Sequence, residues 1–339
     1  MKMFAIVALL SLAGCGLAHA GPVPHGHVAK SLALPGDGGW DDLSVEGGRL
    51  YVTHSSRVQV IDLATDSLIG EVTGVNGAHA VAVAPELGRG FVSSGRDSAI
   101  IVFDTKSLAT IQRISLPARS PDAMCYEPKT HRVFSFNGGS ANAAAIDVAT
   151  GNLLGMVALG GKPEFAVADG NGLVFVNNED SSWVAVVDAA TLTVRSRWPI
   201  APGKTPSGLA LDPVRHRLFS VCENKLVIVL DAVNGKVLQS LPIGEGCDGV
   251  AFDAGARRAY ATNGEGTMTV LREDKPGHFE VAETVPTRTG ARTVTVDPKS
   301  HRVFTATPQF GPKPEPTADH PNPRAPILPG TFEVLVIEP

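Results

Sequence analysis

One pattern of apolar and polar positions recurs seven times along the chain: an apolar strand ending near Asp-Pro, a turn, then a strand opened by an aromatic residue. The clearest copies are 208–219 (GLALDPVRHRLF), 293–304 (TVTVDPKSHRVF) and 123–134 (AMCYEPKTHRVF), with looser ones at 42–51, 80–91, 165–175 and 249–260. Aligning the residue after the first strand gives Gly47, Pro85, Pro128, Gly170, Pro213, Ala254 and Pro298, with successive spacings of 38, 43, 42, 43, 41 and 44 residues. Such a period belongs to propeller blades. The fourth copy shows a whole unit, with β-branched runs at 165–168, 174–177, 183–188 and 193–200 that predict four short strands.

A four-stranded sheet of this kind cannot cover both of its faces alone, whereas seven sheets arranged radially cover each other. The seventh unit is one strand short: 331–337 supplies its third strand and the chain then stops. Segment 27–35 (HVAKSLALP) has the pattern of the outermost strands 112–117 and 239–243 and precedes the first unit. The expected fold is therefore an all-β, seven-bladed β-propeller whose N-terminal strand completes the last blade, formed by residues 21–339 as one domain.

Residues 1–20 stand apart. Lys2 is followed by an apolar run too short to span a bilayer as a helix, then by small residues, as in an export signal. Two processing readings stay open: cleavage after Ala18-His19-Ala20, or a lipobox at Leu12-Ala13-Gly14-Cys15 that leaves a lipid anchor on Cys15. Both place the mature chain in the periplasm or outside the cell, and no later apolar stretch is long enough to span a membrane. Net charge is -5 with scattered basic residues, which disfavours nucleic acid and anionic membranes as partners.

The repeat also nominates chemistry. Six residues before each aligned turn lie Asp41, His79, Asp122, Glu164, Ser207, Asp248 and Arg292, an acidic ring expected at the channel mouth. Three residues after each strand-opening aromatic lie His54, Ser94, Asn137, Asn178, Cys222, Asn263 and Thr307, a wider polar ring expected on the same face. Hard oxygen donors beside imidazole suit a divalent metal, with His79, Asp122, Glu164 and Asp248 as its candidate ligands. The competing reading is a solvated funnel whose polar residues hold water and no ligand.

Other recurrent residues read as architecture. His131, His216 and His301 fall at one repeat-equivalent turn, and Asp62, Asp104, Asp147, Asp188 and Asp231 end third strands where Asp caps a turn. Cys125 aligns with Ala82, Ala210 and Ala251 as a small buried residue. Cys222 and Cys247 come from neighbouring blades, and a disulfide or two unpaired thiols are both open. The largest departure from the repeat is 307–330, an insertion with eight prolines that is expected to be stiff and to present Asp319, His320 and Arg324 over the mouth as a lid.

TyrValThrHis at 51–54 with ValGlnValIleAsp at 58–62, and the similar phrases at 175–178 with 184–188 and 260–263 with 268–271, resemble the YVTN-repeat propellers of the YncE-like family of exported bacterial proteins. The likeness spans the mature chain and implies fold rather than reaction, because related propellers include lactonases, redox-enzyme subunits and binding platforms. Three functions follow as expectations. The first is a platform that binds a small molecule or a periplasmic protein at the channel mouth. The second is a metal-dependent hydrolase resembling propeller lactonases. The third is an accessory protein of periplasmic electron transfer, without its own c-type haem because no Cys-x-x-Cys-His is present.

Overall fold

The computed structural model describes residues 26–317 and 321–338; the leader, Cys15, Asp319 and His320 lie outside the described residues. Seven four-stranded antiparallel sheets form seven blades. Blade one runs Trp40–Glu46, Arg49–His54, Arg57–Asp62 and Ser67–Val72 from the axis outwards, and blade four runs Pro163–Ala168, Leu173–Asn178, Trp183–Asp188 and Thr193–Pro199. Blade seven is composite. Its inner strands Val294–Val296, Val303–Thr307 and Glu333–Glu338 are completed by His27–Ala33, which pairs antiparallel from His27 opposite Glu338 to Ala33 opposite Glu333. Both the closure and its donor strand match the sequence expectation.

The interior consists of seven apolar clusters, one between each pair of neighbouring blades. Side chains alternate across a strand, so Val133 packs toward blade two while the next residue, Phe134, packs toward blade four. Middle strands therefore have two buried faces and are buried almost end to end, whereas the outermost strands keep one wet edge and alternate.

Turn chemistry explains the recurrent polar residues. Asp62 Oδ1 accepts hydrogen bonds from the Ala64 and Thr65 amides, and Asp104, Asp147, Asp188 and Asp231 do the same two and three residues on. His131, His216 and His301 all sit in left-handed turn conformation, at φ of 52°, 54° and 62°. These positions serve the backbone, as their periodicity implied.

Cys125, Cys222 and Cys247 are buried free thiols. Cys222 belongs to the cluster between blades four and five, and Cys247 to the cluster between blades five and six. Strand alternation thus turns the two sulfurs to opposite sides of blade five, and the disulfide alternative is not realised.

Candidate metal centre at the channel mouth

Each innermost strand carries one residue of the acidic ring where it enters the channel, so the common period brings residues from six blades to one end of the axis. Asp41, His79, Asp122, Glu164, Asp248 and Arg292 line one pocket of about 260 Å³, together with Asp42, Ala80, Ala123 and Phe165. The seventh member, Ser207, lines an adjoining recess and donates to the Cys247 carbonyl at 3.3 Å. Polar groups tie neighbouring blades together beneath this pocket. Thr53 donates to the carbonyls of Asp42 and His79 at 3.0 Å each, and Thr293 donates to the Asp41 carbonyl at 2.6 Å.

Asp41, His79 and Asp122, from blades one, two and three, bring one ligand atom each within 4.8 Å of one another. His79 Nδ1 lies 2.5 Å from Asp41 Oδ2 and 3.4 Å from Asp122 Oδ1. The other edge of the ring is held against Gly95, where a Cβ would sit 2.6 Å from His79 Nε2. That edge is closed, so Nδ1 is the nitrogen presented to the carboxylates.

The remaining acids have partners of their own. Glu164 accepts from Lys162 at 2.7 Å, and Lys162 also pairs with Glu179. Asp248 accepts from Arg292 Nε at 2.9 Å, while the Arg292 guanidinium lies 4.7 Å from the centre of the Trp40 ring. Of the four ligands expected from sequence, His79 and Asp122 belong to the tight group, which Asp41 joins, while Glu164 and Asp248 line the same pocket, each paired with a cation.

Crowded carboxylates in a partly dry pocket hold their protons. Burial, and then the Asp41 charge, push the Asp122 carboxyl up to about 6. Burial raises Glu164 to about 8 against the pull of Lys162. Asp42 and Asp248 are also raised, chiefly by burial. His79 moves upward as well, because its hydrogen bond to Asp41 favours the imidazolium. A surplus of acids carrying protons or borrowing an imidazolium is what a cation would relieve, and the donor set of two carboxylates and one imidazole suits a hard to borderline divalent ion.

The wider ring is placed differently. His54, Asn137, Asn178 and Asn263 are buried at the ends of second strands and line none of these recesses. They bond within their own blades: His54 Nδ1 pairs with the Gln59 side chain at 3.0 Å, Asn137 donates to the Asn142 side chain at 2.9 Å, Asn178 to the Val176 carbonyl at 3.1 Å and Asn263 to the Thr267 hydroxyl at 2.9 Å. Burial accordingly lowers the His54 imidazole.

The insertion folds back on itself through a bridge between Phe310 and Ile327 and packs Phe310 against Trp40, with ring centres 6.2 Å apart. Arg324 lines a separate cleft on the flank of the mouth, joined to it through Asp248 and Arg292. Sequence reasoning passed over Asp42, yet a signal existed: the equivalent positions are Ala80, Ala123, Phe165, Gly208, Gly249 and Thr293, none of them charged.

No family model and no curated protein matches the chain. Solved structures do. The Kuenenia stuttgartiensis hydrazine synthase aligns with a TM-score of 0.67 and 17% identity over 76% of this chain and 89% of that one. The structure of U3-55K aligns at 0.75 with 9% identity over 92% and 99%, and a chain of the mitotic checkpoint complex at 0.72 with 12% identity over 88% and 95%. At such identities the likeness concerns architecture alone, and what it establishes is a seven-bladed β-propeller, a scaffold suited to binding ligands or proteins.

Proposed function

We propose that the channel mouth holds a divalent cation through Asp41, His79 and Asp122 and that the protein is a metal-dependent hydrolase of an ester or lactone. The observation that carries this reading is the convergence of three ligand atoms within 4.8 Å from three different blades. A bound divalent ion supplies a Lewis acid for a carbonyl oxygen and an acidified water. The chain's own residues complete the requirement. Glu164, outside the triad with its carboxyl near 8, exchanges a proton around neutral pH as a general acid or base must. Arg292, at the edge of the pocket, is placed to steady a carboxylate product. The YVTN-like phrases and the leader pattern support assigning the protein to the exported YncE-like propellers, acting in the periplasm or beyond.

A non-catalytic binding platform is the second reading. The observation in its favour is that His79 already bridges Asp41 and Asp122, which satisfies these groups without an ion. Metal analysis of protein purified without a His-tag, followed by titration with Mn²⁺, Ca²⁺ and Zn²⁺ and assay against a lactone and ester panel, separates the two. The hydrolase reading expects one ion per chain, lost in Asp122→Ala and His79→Ala, and turnover lost in parallel. A metal-free protein showing no thermal shift with any of the three ions and no turnover leaves the platform.

A further inference from the structure

We propose that the cleft between the proline-rich insertion and the rim of blades one, six and seven binds the body of a small amphiphilic organic anion, one carboxylate or sulfonate attached to an aromatic or acyl group. The cleft measures about 850 Å³, within the range of small-molecule sites and much larger than the adjoining mouth. Its apolar lining comes from Trp40, Phe310 and Ile327, and its charged lining from Arg292, Lys313, Arg324 and Asp248.

The charges decide which ligand fits. Arg292 is neutralised by Asp248 and lies over Trp40. Lys313 and Arg324 are exposed, and neither has a carboxylate partner among the described residues. The cleft thus offers two cations with no carboxylate partner among the described residues beside an aromatic wall, on a chain whose net charge is -5. An anionic head is attracted to Lys313 and Arg324, and an apolar body covers Trp40, Phe310 and Ile327. A purely polar ligand would leave that wall bare, and a neutral one would leave the cations unused. Because Asp248 and Arg292 border both spaces, a ligand seated here reaches toward the metal triad. What happens to such a ligand rests on the hydrolase reading; its binding does not.

The probe is 8-anilinonaphthalene-1-sulfonate, with the neutral N-phenyl-1-naphthylamine as its counterpart on the same rings. The expected result is saturable binding of one sulfonate per chain. Lys313→Glu/Arg324→Glu weakens it at least about tenfold at low salt, as reversing two nearby charges requires, and shifts the neutral amine less than about twofold. His79→Ala, which removes a metal ligand, leaves sulfonate binding unchanged, so loss of the ion and loss of the anion are read separately. Circular dichroism confirms that each variant is folded, and the charge reversals at the two exposed side chains leave melting unperturbed. Sulfonate affinity indifferent to the double charge reversal, equal affinity for the neutral amine, absence of saturable binding, or loss of binding in His79→Ala would each overturn the proposal.

Discussion

Replacing Asp122 by asparagine keeps the shape of the side chain while removing one charge from the most crowded part of the mouth. In the folded protein this carboxyl is raised from 3.8 to about 6, first by burial and then by Asp41. Such a difference corresponds to about 3 kcal/mol against the ionised form. The side chain keeps 32% of its surface exposed, so solvent screening reduces the expected penalty to about 1–2 kcal/mol. The sign follows from linkage: the folded chain holds this proton more tightly than the unfolded chain, so stability present below pH 3.8 is lost as pH rises through 6. Asp122→Asn escapes that loss. In chelator, urea denaturation should therefore find the variant about 1–2 kcal/mol more stable than wild type at pH 7.5 and equal to it at pH 4. With Mn²⁺ at a hundredfold its dissociation constant the order reverses, because wild type gains about 2.7 kcal/mol and the variant gains little. A variant less stable than wild type in chelator at pH 7.5, or a difference that persists at pH 4, refutes the picture of a charge-strained mouth awaiting a cation.

Gly95→Ala should lower Mn²⁺ affinity at least about tenfold without unfolding the protein, since the new Cβ would lie 2.6 Å from the His79 ring and displace it; isothermal titration checks this. Ion affinity should rise from pH 6 to 8.5 and binding should release protons, because His79, Asp122 and Glu164 all hold theirs above their ordinary values; calorimetry in buffers of different ionisation enthalpy measures the count. Deleting residues 27–33 removes the outermost strand of blade seven and exposes the edge of Glu333–Glu338, so the product should be insoluble or melt far below wild type, whereas removing the leader, residues 1–20, should leave melting unchanged. Cys125, Cys222 and Cys247 should react with a thiol reagent only after denaturation, and rapid reaction of any of them in the native protein contradicts their burial.

The repeat spacing was sufficient to read the number of blades, the composite seventh blade and the residues that face the axis. Each of these depends only on local alternation and on counting along strands of equal length. Asp41, His79 and Asp122 come together because equivalent positions in successive blades point to one line, and a period encodes that direction. A period does not encode the distance between side-chain ends or the competing partner that lies closer. Lys162 lies beside Glu164 and Arg292 beside Asp248, whereas Asp41 joins His79 and Asp122 in the tight group. The same limit explains the cysteines and the wider ring: Cys222 and Cys247 share an end of the molecule but face opposite clusters, and His54, Asn137, Asn178 and Asn263 are buried in hydrogen bonds within their own blades. The flank cleft lies furthest from the reach of sequence, since it exists only where a non-repeating insertion meets three blades whose spacing along the chain says nothing of their contact.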